Sequence, residues 1–341
     1  MKVRTAISIL KHANRRKDPK RAAQRPPEKV RKMFFFRDGW GDETVLSEAT
    51  SFEVFSPKPG KIFLELTPRK SPHGLAFDGS FDSPLRQPWL AEESRRAKVR
   101  VILPPQAKRE KVPLCICFPM TGDEGFSIRT RTFAAPLVGK GIGVVMLENP
   151  YYGSRRRKGQ ENYFLTRVQD MLVMCIAAVE EGRALVDWAH REGHTQIGVA
   201  GVSQGGMIAA AVGALSEIPL AVAISLAAHS PDVILTEGFL RNFVDWAALG
   251  DDQHAAAKRL RDIFKIGDLT QMPKPRAPRA SFILGAKRDL VVPKYSVEKI
   301  HKSWKGSQIK WLPGTHLSSI ALHEKAFRNV TLKAFHSLAG D

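Results

Sequence analysis

Gln196-Ile197-Gly198-Val199-Ala200 runs directly into Gly201-Val202-Ser203-Gln204-Gly205, and the chain then continues through an Ala-rich stretch to Leu215. The first segment is apolar on both faces and reads as a buried strand; the last reads as a helix over 204–215. A serine in the tight turn between them needs small neighbours, because strand and helix must approach closely while the hydroxyl stands clear of the sheet. Glycine at 201 and 205 meets that need. Strand, G-x-S-x-G turn and helix in this order mark Ser203 as a nucleophile at the C-terminal edge of a parallel sheet.

Outward from this turn the same texture repeats. Strands are predicted at 113–118, 143–148, 221–227, 281–285 and 308–312, and helices at about 130–140, 165–192, 294–303 and 318–337. Strands apolar on both faces and separated by amphipathic helices form a parallel sheet covered on both sides. Short β-like runs at Lys61–Leu66 and Lys98–Leu103 lead the pattern, with the Pro, Gly and Ser-rich stretch Ser71–Pro88 read as a surface loop. The alternation lapses over 230–278, read as a cap inserted above the sheet edge where such folds place their ligands. Residues 35–341 are accordingly one catalytic domain with a cap, and 1–34 a basic tail.

A serine hydroxyl attacks only when a base takes its proton, and that base must be held in one tautomer by an acid. Of the ten histidines, His12 lies in the tail, His73 in a loop, and His190 and His194 at a helix end, where solvent is expected. His316, in Leu312-Pro313-Gly314-Thr315-His316, follows the last strand and is the predicted base; His323, further into the final helix, is read as structural. Asp289 ends the loop after the strand beginning at Ser281 and is the predicted acid, with Asp232 as runner-up. The order Ser, Asp, His is that of the α/β-hydrolase fold. The oxyanion is expected to meet the backbone N–H of Gln204 and that of Met120, since Pro119 has no N–H to offer. Thr121, Arg129, Tyr151, Tyr152 and His229 are expected to line the substrate pocket.

The chain resembles the α/β-hydrolase domain-containing 18 group. The resemblance runs from about residue 35 to the end and rests on Phe36-Arg37-Asp38-Gly39-Trp40-Gly41, Thr121-Gly122-Asp123 with Arg129 and Arg131, Leu147-Glu148-Asn149-Pro150-Tyr151-Tyr152-Gly153, the G-V-S-Q-G turn, Thr236-Glu237-Gly238, Ala286-Lys287-Arg288-Asp289 and Gly314-Thr315-His316. It implies a hydrolase fold and a triad, and little about substrate. Members of the group carry methionine at the position of Gln204, a smaller A-G pair at Pro119-Met120, and often a longer excursion before the acid.

Composition sets the remaining bounds. At 341 residues with 43% hydrophobic content the chain can bury a sizeable core, and its three cysteines cannot form a disulfide framework. Cys115 and Cys117 share one face of a strand and lack neighbouring ligands, so burial rather than metal binding is expected, in a reducing, intracellular compartment. No metal or organic cofactor is called for. The net charge is +19, and much of it sits before residue 33, where twelve Lys and Arg face only Asp18 and Glu28. A targeting segment (mitochondrial, given the Arg-rich start), a patch for an anionic membrane and a solvated arm all fit that tail. Arg155, Arg156, Arg157 and Lys158, with Arg129 and Arg131, either ring the mouth of the site or form a solvated face. A ring would favour an anionic lipid acyl ester. Ester hydrolysis is the leading reading; acyl transfer on the same triad and a non-catalytic binding scaffold are the rivals, and no nucleic-acid signature is present.

Overall fold

A computed structural model describes residues 32–85, 88–108 and 111–340; all of the basic tail before Lys32 lies outside the described residues. Nine strands form one sheet in the order β1-β2-β3-β5-β4-β6-β7-β8-β9. They are β1 (Glu65–Arg69), β2 (Leu75–Asp82), β3 (Arg96–Leu103), β4 (Leu114–Phe118), β5 (Gly143–Leu147), β6 (Ile197–Val202), β7 (Ala221–Ser225), β8 (Ser281–Ala286) and β9 (Gln308–Leu312). The first three pair antiparallel, β3 meets β5 antiparallel, and every later pair is parallel.

In β4, Leu114, Ile116 and Phe118 face one apolar cluster while Cys115 and Cys117 face another. Alternate side chains point to opposite faces, so a strand buried throughout needs helices on both sides. One side carries α2 (Val168–Arg191) and α3 (Gln204–Leu215), and the other α8 (Glu324–Ala339), after α1 (Glu43–Ala49), α4 (Pro231–Thr236), α5 (Gln253–Phe264), α6 (Lys294–Ser303) and α7 (His316–Leu322) in chain order. Cys115 and Cys117 are fully buried with Sγ atoms 3.7 Å apart. Among the described residues, no helix is long and apolar enough to cross a membrane.

Three expectations need correction. Ser71–Pro88 is no surface loop: it holds β2, whose Asp78 pairs with Arg69 and Arg100 across a solvent-facing hairpin, so polar residues and Gly79 are compatible with a strand here. The leading strand begins at Glu65 rather than Lys61 and is exposed along its length. The final helix is two helices, because His323 leaves helical geometry (φ −120°, ψ 29°) between α7 and α8.

Phe36-Arg37-Asp38-Gly39-Trp40-Gly41 is a strap. Phe35 bridges Val244, Gly39 O accepts the Val168 N–H at the start of α2, and Trp40 Nε1 donates to Leu249 O. It ties the segment 230–278 to the helices beneath.

Candidate active site

Ser203 sits at φ 56°, ψ −122°, a left-handed conformation forced by the turn from β6 into α3. A Cβ at Gly201 would lie 2.1 Å from Gly205 O, and one at Gly205 would lie 2.4 Å from Phe118 O. Glycine is therefore required at both positions, and its second use is to seat the loop after β4 against the start of α3. Tyr151 (φ 63°) and Leu226 (φ 54°) share the unusual backbone. Each of the three follows a strand, β5, β6 or β7, so backbone strain of roughly 1–3 kcal/mol per residue gathers at the same sheet edge.

The three predicted catalytic groups meet there. His316 Nε2 lies 3.1 Å from Ser203 Oγ, and His316 Nδ1 lies 2.8 Å from Asp289 Oδ2. The other carboxylate oxygen of Asp289 accepts the N–H groups of Val291 (2.8 Å) and Val292 (2.9 Å), which fix its rotamer. Base and acid loops are themselves laced together, since Lys287 N donates to Leu312 O and Arg288 N to Gly314 O. Thr315 caps α7 and forms a capping box with Ser318, so His316 is presented from the first turn of a helix. Asp232 is elsewhere, hydrogen-bonded to Ser230 and facing His229. The N–H groups of Met120 and Gln204 donate to no acceptor among the described residues, which leaves both free for an oxyanion.

A cavity of ≈ 90 Å³ opens between α2, α3 and the segment 230–278, with Gln204, the residue after Ser203, in its lining. Met171, Cys175 and Ile176 of α2, Met207 and Ala211 of α3, and Leu235, Phe264 and Met272 above form its wall, with Phe55 among them. Thr121 and Gln204 supply its polar atoms next to the serine. Burial pushes the Cys175 thiol up to about 12, so that wall carries no charge.

The other predicted pocket residues divide. Tyr152 is buried, and its hydroxyl donates to Gln204 Oε1 at 3.3 Å. Burial raises its pKa, so it remains a neutral phenol. Tyr151 is also buried, but turns toward the Arg157 guanidinium, 5.5 Å from its ring. His229 packs against α6, with Nδ1 2.7 Å from Ser296 Oγ and Lys299 on its far side; desolvation lowers its pKa. Neither borders the cavity. Arg129 is corrected outright. Its guanidinium is buried, and four of its five N–H groups are taken by Asp123 (2.8 Å) and the carbonyls of Cys117, Leu147 and Gly125, so it serves the fold around the loop after β4.

The arginine run is corrected too. Arg155 is fully buried in a two-pronged pair with Glu181 and also donates to Ser94 O and Glu148 O. Arg156 pairs with Glu124 and Arg157 with Asp170. The run is thus spent on ion pairs at Arg155, Arg156 and Arg157, and only Lys158 is an exposed cation. His194 likewise departs from its expected exposure: it is buried, with Nδ1 2.7 Å from Val112 O. Exposed cations do flank the triad, but they are Lys287 and Arg288, beside Asp289.

The model of the family described as alpha/beta hydrolase domain containing 18 matches residues 33–262 and 252–337. Among solved structures, acetyl xylan esterase 1 from a Thermoanaerobacterium species is similar over 91% of this chain and 99% of its own, with a TM-score of 0.57 at 16% identity. An acetyl xylan esterase from a Paenibacillus species is similar over 90% of this chain and 99% of its own, with a TM-score of 0.53 at 12% identity. These likenesses concern the fold.

Proposed function

Because the chain belongs to the alpha/beta hydrolase domain containing 18 family, we propose that it is a serine hydrolase that cleaves carboxylic esters of apolar acyl groups through an acyl-enzyme on Ser203. The observation that carries the reading is the unbroken relay from Ser203 Oγ through His316 to Asp289, at 3.1 and 2.8 Å. In this reading His316 Nε2 takes the hydroxyl proton as Oγ bonds to the carbonyl carbon, and the carbonyl electron pair moves onto oxygen. The amides of Gln204 and Met120 donate to that oxyanion. Its collapse breaks the ester C–O bond, and His316 returns the proton to the departing alcohol. Water then repeats the sequence against the acyl-enzyme, releasing the acid and restoring the serine. Asp289 accepts the hydrogen bond from the Nδ1–H throughout and steadies the imidazolium.

Substrate class follows from the cavity. It is neutral and apolar, which favours an acyl chain over a sugar or a charged side chain. At ≈ 90 Å³ it holds only a short chain as it stands, and a longer one enters by displacing Met171, Met207 and Met272, whose unbranched side chains repack readily. A panel of p-nitrophenyl esters of increasing chain length tests this. Ala211→Trp, which fills the cavity wall, is expected to shift the optimum to shorter chains; an unchanged profile would place the acyl group elsewhere. Adding a competing alcohol separates hydrolysis from acyl transfer by its products.

A lipid acyl ester at a membrane surface is the natural source of such a chain. Leu290, Leu317 and Leu322 are 69%, 62% and 76% exposed beside Asp289 and His316, with Lys287 and Arg288 adjoining. Exposed leucines with neighbouring cations suit an anionic bilayer. Leu290→Ser with Leu317→Ser is expected to lower binding to phosphatidylserine-containing vesicles several-fold, about 1 kcal/mol; equal binding by wild type and variant would remove the membrane from the proposal.

A further inference from the structure

Gln204 and Thr121 are the polar residues lining an otherwise apolar cavity, and the Gln204 side chain is oriented by two hydroxyl donors. The Tyr152 hydroxyl is buried and neutral, with a proton to give. It gives it to Gln204 Oε1 at 3.3 Å, and Thr121 Oγ1 donates to the same oxygen at 3.4 Å. The carbonyl side of the amide is thereby assigned, and Nε2 points the other way. There its hydrogen-bond partner among the described residues is Met174 Sδ at 3.9 Å, a weak acceptor. Nε2 therefore keeps an unsatisfied proton beside the nucleophile, where the first carbons of an acyl chain pass as the carbonyl engages the Gln204 backbone N–H.

A saturated chain in that position expels water and strands the Nε2 proton against methylenes, which costs binding. A hydroxyl on the chain accepts it, and can donate its own proton to Thr121 Oγ1, whose lone pairs remain free once its proton is on Gln204. Given the serine-hydrolase reading of Ser203, we propose that the Gln204 amide is a specificity-determining donor that selects acyl esters carrying a hydroxyl on carbon 2 or 3 of the acyl chain. Tyr152 and Thr121 are the positioning residues that aim it.

The test compares kcat/KM for p-nitrophenyl octanoate, 2-hydroxyoctanoate and 3-hydroxyoctanoate in wild type, Gln204→Met and Thr121→Val. A hydroxyl near the carbonyl activates the ester by itself, so the quantity read is the change in the hydroxy-to-plain ratio between wild type and variant. Gln204→Met keeps the backbone N–H and is expected to lower that ratio about tenfold for the carbon in reach, the worth of one hydrogen bond left unmade. Thr121→Val lowers it by about threefold, as one of two partners is lost. A ratio unchanged in both variants, with all three esters hydrolysed, overturns the proposal. If wild type hydrolyses none of them and Ser203 fails to react with a fluorophosphonate, the hydrolase reading falls and takes this one with it.

Discussion

Two polar constellations lie close together in this molecule and behave in opposite ways. At the edge of β6, β8 and β9, Ser203, His316 and Asp289 form a chain whose last member, the serine hydroxyl, has no hydrogen-bond partner beyond His316 among the described residues. After β5, Arg155 and Arg157 form pairs with Glu181 and Asp170 in which both partners are engaged. Arg129 with Asp123 is of the second kind. From the sequence both look like site residues. The difference is what the open atom can do: the triad ends on a serine hydroxyl whose proton His316 is placed to take, whereas the unpartnered Arg155 Nε and Asp123 Oδ1 are buried within ion pairs that hold elements together.

The comparison predicts which quantity each substitution moves. Asp289→Asn leaves the fold intact but presents an amide to the wrong His316 tautomer, and is expected to lower kcat by about 10⁴-fold. Its urea midpoint should stay near that of wild type; a large stability loss with modest rate loss would erase the distinction. Arg155→Met strands the Glu181 carboxylate in the core and should cost about 3–5 kcal/mol of stability, while kcat per folded molecule is retained. Arg155→Met with Glu181→Leu should recover most of that loss, because both buried charges are then gone. The double variant as unstable as the single would mean the pair is not the unit described. Arg156 and Glu124 are 30% and 26% exposed, and Arg156→Ala is expected to cost only about 0–1 kcal/mol by the same denaturation measurement.

The triad was largely legible before any coordinates. Gly201 and Gly205 around Ser203 announce a turn whose geometry permits few other residues, and Asp289 and His316 each follow a recognisable strand. The ion pairs were not legible, because their partners come from other elements. Glu181 lies in α2, 26 residues beyond Arg155, and Asp123 reaches Arg129 across a loop; a run of arginines gives no hint of which carboxylates will fold against it. Local pattern also failed where the edge hairpin tolerates polar residues, hiding β2 within an apparent loop. Tyr152 was expected to contact substrate, yet its hydroxyl is spent on Gln204. Only the fold brings the loops after β4, β5 and β6 together.

The central claim is that Ser203 is an activated nucleophile. Labelling the purified protein with a fluorophosphonate, followed by peptide mass spectrometry, tests it directly, with Ser203→Ala and His316→Ala alongside. The account predicts a single adduct on Ser203 in wild type, none in Ser203→Ala, and labelling slowed by several orders of magnitude in His316→Ala. Folded wild-type protein that takes up no label, or a label on another residue that survives Ser203→Ala, would contradict it.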